Sequence, residues 1–194
     1  MVWDHQVAGS SPVTRAIFLK GNVFMLSMPK FFTSPTYSQV SVSDMIRLIQ
    51  KNVQHNPDCE HNLIIGSDSQ SHGNKNTGVT KYVLVVAVHN IGKGGIFFYH
   101  TWNEPIAQSI RQKLTNETQL SLFCAEALLD ELEKSVDDFD YTTLNFSIHV
   151  DAGRDGASKE LIPELVGWVR SEGWYCETKP DSFVASTIAD KISK

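Results

Sequence analysis

Cysteine, positive charge and long apolar runs are all in short supply in this chain. Its three cysteines, Cys59, Cys124 and Cys176, are odd in number, widely spaced and free of any CxxC pair, which speaks against both a disulfide framework and a structural zinc site. A reducing, cytoplasmic setting fits that usage. Lysine and arginine together number 17 against 22 acidic residues, for a formal net charge of -5. The broad basic face with which many proteins gather nucleic-acid phosphates is therefore not expected, and any such contact has to be local and metal-assisted. The longest uninterrupted apolar stretch, Tyr82 to Val88, is far too short to cross a bilayer and suits a buried strand. No membrane association is expected. Several catalytic signatures are missing as well: there is no GxxxxGK[ST] phosphate loop, no GxSxG elbow and no HExxH pair, and Gly92, Gly94 and Gly95 lack the helix that a GxGxxG motif requires.

What remains is an ordinary globular composition, 41% hydrophobic and 20% charged over 194 residues, enough for one sizeable core. Residues 1–28 are expected to be an extension that is disordered or translated from a mistaken start. Met1 to Arg15 has no hydrophobic period, and His5 to Arg15 (HQVAGSSPVTR) resembles a peptide read through a transfer-RNA gene; Met25 or Met28 is an alternative start. Lys20, Gly21 and Asn22 interrupt the apolar character of Ala16 to Met28, so no secretory h-region is formed there. The domain proper is expected over residues 29–194.

Within that domain, Ser43 is a candidate cap for a helix over Asp44 to Gln54. Three strands follow, Asn62 to Gln70, Lys81 to His89 and Gly95 to Trp102, separated by glycine- and asparagine-rich connections that suit an antiparallel meander. From Ser109 to about Val136 the period turns helical, and the stripe Ile110, Leu114, Glu117, Ser121, Cys124, Ala125, Leu128 and Leu132 places Glu117 on the sheet-facing side. Glu126 lies nine residues further on, turned by roughly 100° per residue to the opposite face, as a solvated charge would be. Cys124, inside the stripe, is a packing residue. After the acidic linker Asp137-Asp138-Phe139-Asp140 come a strand over Leu144 to Val150, a helix over Lys159 to Glu172, a short strand over Trp174 to Thr178 and a last helix from about Ser182 to Ile192. The order βββαβαβα predicts a mixed five-stranded α/β sheet with helices on both faces.

Four carboxylates fall at informative places in that order. Asp68 ends the run Leu63-Ile64-Ile65-Gly66-Ser67, Asp151 ends the run Phe146 to Val150, Glu117 lies early in the long helix and Asp190 lies in the terminal one. Acids at the ends of neighbouring strands can converge although far apart in sequence, and hard divalent cations prefer such oxygen ligands. Each has a plain structural explanation too: Asp68 beside serines and Asp151 beside Gly153 suit turns, Asp190 suits an exposed helix end whose unfavourable dipole Lys191 offsets, and His149 suits a core histidine satisfied by a carbonyl.

The motifs Phe32-Thr33-Ser34-Pro35-Thr36, Ile64-Ile65-Gly66-Ser67-Asp68-Ser69-Gln70, Thr115-Asn116-Glu117, His149-Val150-Asp151 and the tail from Lys179-Pro180-Asp181-Ser182 to Ala189-Asp190-Lys191 resemble the YkuK family of ribonuclease H-like bacterial proteins. The resemblance covers nearly everything from about Lys30 onward. It implies the ribonuclease H-like fold, and by carry-over Asp68, Glu117, Asp151 and Asp190 as ligands of two Mg²⁺ or Mn²⁺ ions, with Asp68 bridging. A metal-dependent nuclease acting on RNA, DNA or a hybrid is the activity this implies. The alternative is a ribonuclease H-like scaffold that binds a protein or nucleotide and cleaves nothing. Four neighbouring acids repel one another, so metal is expected to stabilise the fold in either case where it binds.

Overall fold

The computed structural model describes the backbone of residues 14–19 and 22–27 and, with side chains, residues 28–74, 77–107, 109–134, 140–153 and 158–194. Most of Met1 to Arg15, the linker residues Asp137 to Phe139 and the loop around Gly156 lie outside the described residues. The described residues form nine strands: β1 (Thr14–Leu19), β2 (Asn22–Ser27), β3 (Phe31–Ser34), β4 (Ser38–Ser41), β5 (His61–His72), β6 (Val79–Asn90), β7 (Gly94–Pro105), β8 (Leu144–Val150) and β9 (Tyr175–Glu177). The helices are α1 (Val42–Gln54), α2 (Ile110–Lys134), α3 (Ile162–Ser171) and α4 (Asp190–Ser193), the last preceded directly by a π-helical turn over Val184–Ala189.

Strand β5 is the axis of the molecule. It is apolar to both sides because it is covered on both: Leu63 and Ile65 face the larger core, whereas Ile64 faces a smaller one. Such continuous hydrophobic runs mark strands buried on two faces. β5 pairs antiparallel with β6 along its whole length and parallel with β8, and the full order is β4-β3-β7-β6-β5-β8-β9. The sheet thus has seven strands where the sequence predicted five. The two additional strands form the hairpin β3–β4, only four residues on each side, too short to leave a readable run. Its alternation is nevertheless functional for packing, since Phe32 is fully buried and Val40 nearly so.

Within the extension expected to be disordered, β1 and β2 pair antiparallel as a separate two-stranded sheet. Met28, just after it, joins the main core.

Helix α1 is capped by Ser41, whose hydroxyl accepts from the Asp44 amide; Ser43 had been the expected cap. Ser41 is better placed because it leaves β4 in an extended conformation directly at the helix start, where a cap oxygen can reach the third amide onward. Helices α1, α2 and α3 cover one face through Ile49, Leu128, Leu132, Leu165 and Val169. The other face is covered by the segment from Val184 through α4, where Val184 and Ala189 pack on Ile64, Val83, Val85 and Ala87. Gly66 makes that approach possible. A Cβ there would stand 3.1 Å from the Ala185 amide nitrogen and 3.3 Å from the His149 carbonyl oxygen, so the π-helical turn lies almost on the β5 backbone.

The expected helix over Lys159 to Glu172 begins as a 3₁₀ turn, Lys159–Leu161, before α3. The last helix, expected from about Ser182 to Ile192, is the continuous run Val184–Ser193, π-helical up to Ala189, with Asp190 near its end as expected. Among the described residues, no helix is long and apolar enough to cross a membrane.

Candidate metal centre

β5 and β8 end their pairing together. The last parallel pair is Ser67 with Val150, so Asp68 and Asp151 stand side by side, each one residue past it. Side chains alternate along a strand, and the sequence Ser67-Asp68-Ser69 uses that alternation. Both serines turn to α2, where the Ser67 hydroxyl donates to the Glu117 carbonyl oxygen at 2.6 Å and the Ser69 hydroxyl donates to Glu117 Oε1 at 2.7 Å. Asp68 turns the other way and accepts from the Ser193 hydroxyl at Oδ2, 2.7 Å. Ser193 also reaches the Asp190 carbonyl oxygen, at 2.9 Å. The backbone of Asp190 is therefore held near Asp68 through α4, while its carboxylate pairs with Lys194.

Lysines hold all four acids. Lys113 Nζ lies 3.6 Å from Asp68 Oδ1 and 3.6 Å from Glu117 Oε1. Lys179 Nζ lies 2.8 Å from Asp151 Oδ1, in an ion pair without hydrogen-bond alignment. Lys194 Nζ meets Asp190 Oδ2 at 2.6 Å. In this arrangement no three His, Cys, Asp or Glu side chains among the described residues converge as a formed metal site. Asp68, Glu117 and Asp151 are nonetheless close enough for their charges to act on one another.

Burial dominates the electrostatics. Asp68 and Glu117 are each only 3% exposed. Loss of water pushes the Glu117 carboxyl up to about 8; Lys113 opposes this, and the Asp68 charge adds to it. Glu117 consequently keeps its proton at neutral pH despite the nearby ammonium. Asp68 is raised by burial too, against the pull of Lys113 and the Ser193 hydrogen bond. Burial works to lower Lys113, yet Glu117, Asp68 and Asp151 together outweigh it and leave the ammonium raised. Glu117 Oε2 is buried with no hydrogen-bond partner, an arrangement that costs free energy unless something fills it.

His149 is a core histidine, as expected, but backbone carbonyls do not satisfy it. Its Nδ1 accepts from the Val184 amide at 3.3 Å, and its Nε2 stands 3.2 Å from Glu177 Oε2. Burial depresses its pKa to about 4, so the ring is neutral, and, with Nδ1 accepting, its proton sits on Nε2, which faces Glu177. It ties β8 and β9 to the start of the π-helical turn. Glu126 is half-buried on α2, less solvated than its helical position suggested. Asn116, from the Thr115-Asn116-Glu117 motif, donates to the Tyr82 hydroxyl at 2.9 Å. Lys113, Lys194 and Ser193 lie outside the motifs singled out from sequence, and Ser69 and Lys179 lie within them with no role assigned. Only Lys113 left a local signal there, the i,i+4 spacing to Glu117.

A mixed sheet whose central strand delivers an acid beside the acid of its parallel neighbour, with a glutamate from the crossover helix, defines the ribonuclease H-like class. A family model described as Ribonuclease H-like matches residues 44–194. The chain is also 31% identical over 171 residues to "Uncharacterized protein YkuK" of Bacillus subtilis (strain 168), an alignment covering 84% of this chain and 96% of that protein. The chain therefore belongs to the ribonuclease H-like superfamily and, within it, to the YkuK family. No solved structure matches it.

Proposed function

We propose that this protein is a divalent-metal-dependent nuclease whose metal ligands are Asp68, Glu117, Asp151 and Asp190. The observation that carries the reading is the register coincidence of Asp68 and Asp151 beside a buried glutamate with an orphaned oxygen. The residues fit Mg²⁺ or Mn²⁺: all are hard oxygen donors, and Glu117 Oε2 is buried without a partner where a cation would supply one. When bound, such ions activate water and stabilise the leaving oxygen of a phosphodiester. The chain's own residues prepare that chemistry. Ser69 fixes the Glu117 carboxyl, Ser193 fixes Asp68, and the His149 contact with Val184 holds the segment that carries Asp190 on the sheet. Glu117, protonated at neutral pH, would release its proton when it becomes a ligand.

One observation favours a second reading, a non-catalytic scaffold: each acid already has a lysine partner, so the site is nearly neutralised as it stands. Incubation with Mn²⁺ and labelled RNA, DNA and hybrid substrates separates the two. The parent is expected to cleave at least one of them, Asp68→Asn to cleave none while keeping its fold, and Glu126→Gln to cleave like the parent. Equal cleavage by parent and Asp68→Asn would remove the four-acid assignment. A parent that never cleaves, yet gains thermal stability from millimolar Mn²⁺ or Mg²⁺ through Asp68, would establish the scaffold.

A further inference from the structure

We infer that Lys113 is the resident counter-cation of the Asp68–Glu117 pair, its ammonium occupying the place of a divalent ion, so that metal binds by displacing it. This rests on the proposed metal site. The three lysines at the site are not equivalent. Lys179 and Lys194 are 45% and 63% exposed and each touches one acid at the rim. Lys113 is 28% exposed and stands at equal distances, 3.6 Å, from two acids that are only 4% and 3% exposed. One ammonium held equidistant from two buried acid groups takes the place that a cation bridging them would take.

The placement follows from the helix. Lys113 precedes Glu117 by one turn on α2, the spacing at which side chains meet, and Ser67 and Ser69 fasten that turn to β5 beside Asp68. The lysine stem is long and unbranched, so the ammonium can swing towards solvent without moving the backbone. Its fit is incomplete, because at 3.6 Å it donates a proper hydrogen bond to neither acid and leaves Glu117 Oε2 without a partner. A divalent ion would satisfy that oxygen. The ammonium and a divalent ion cannot both occupy the one place between Asp68 and Glu117, since Coulomb repulsion is strong where water is excluded.

Three roles for Lys113 make different predictions. A competing cation weakens metal binding, a helper that organises the acids strengthens it, and a purely structural residue leaves it unchanged. Calorimetric titration with Mn²⁺ alone, on the full chain stripped with chelator, distinguishes them. Lys113→Gln is expected to bind Mn²⁺ on the order of tenfold more tightly than the parent, within the usual range for coupling between ligands of one site. Lys113→Arg keeps the charge and is expected to remain near the parent. Unchanged or weaker binding by Lys113→Gln, with Asp68→Asn abolishing binding, overturns the displacement while leaving the metal site intact. If Asp68→Asn binds Mn²⁺ like the parent, or if neither the parent nor Lys113→Gln binds at all, the site itself fails and the displacement with it. Binding by Lys113→Gln but not by the parent supports displacement in its strongest form. Should Lys113→Gln be unfolded in chelator, the Mn²⁺ dependence of its recovered circular dichroism is the readout: refolding at or below the parent's binding midpoint supports displacement, and no refolding at millimolar Mn²⁺ refutes it.

Discussion

Replacing Glu117 with glutamine should stabilise the metal-free protein, and the gain should grow with pH. Glutamine keeps the size of the side chain and an oxygen to accept from Ser69, and it cannot ionise. The wild-type carboxyl is raised from 4.5 to about 8 by burial. A group whose folded pKa is raised contributes fully below its unfolded value, and that contribution is lost as pH climbs through the folded one. Between 4.5 and about 8 the unfolded chain has given up the proton while the folded one retains it, at about 1.36 kcal/mol per pH unit. Glu117→Gln escapes this loss. Its advantage should be under about 1 kcal/mol at pH 5, about 3 kcal/mol at pH 7 and at most about 5 kcal/mol at pH 9. Urea unfolding in chelator, followed by fluorescence of the chain's 4 tryptophans, gives these differences directly. With saturating Mn²⁺ the order should reverse, because only the glutamate can ionise to hold a cation. Parallel stability curves for the two proteins from pH 5 to pH 9 would refute the claim that burial keeps Glu117 protonated.

Gly66→Ala should cost about 1–3 kcal/mol in chemical denaturation through overpacking, since the new Cβ would sit 3.1 Å from the Ala185 amide nitrogen; a neutral result would mean the π-helical turn moves aside freely. His149→Leu should cost about 2 kcal/mol, because the buried Val184 amide loses its acceptor while half-buried Glu177 recovers water. The loss should be the same in chelator and in the absence of added salt if the histidine is neutral. In native protein a thiol reagent near pH 8 should label half-buried Cys59 first, while Cys124, pushed up to about 12, and Cys176, pushed up to about 11, should react only after unfolding; rapid labelling of all three would show that the core opens readily.

Much of this architecture is legible in the chain itself, and the exceptions share a physical cause. β8 is recoverable to the residue because its apolar run stops abruptly at Asp151. α2 is recoverable because its stripe runs unbroken from Leu114 to Leu132. The hairpin β3–β4 is not, since four residues carry too little periodicity and Pro35 reads as a break. The four acids could be named because strand ends and a helix stripe put them in order. Their partners could not be, because the contacts are non-local: Ser193 meets Asp68 from 125 positions away, and nothing in local composition encodes that meeting. The π-helical turn was hidden for a related reason. Val184–Ala189 has ordinary helical residues, and it is the close approach to Gly66 that accompanies the wider winding.

The unequal lengths of the strands give the sheet a step. β5, β6 and β7 run twelve residues each, whereas β8 stops opposite Ser67, leaving Asp68 to His72 paired only on the β6 side. At about 3.4 Å per residue those residues rise about 17 Å above the lower terrace. Asp68 and Asp151 lie at the foot of that riser. The two acids thus have a wall of paired strand along the β6 flank and the lower β8–β9 terrace along the other. Trimming the riser at the β5–β6 turn would open the second flank and leave the four acids in place.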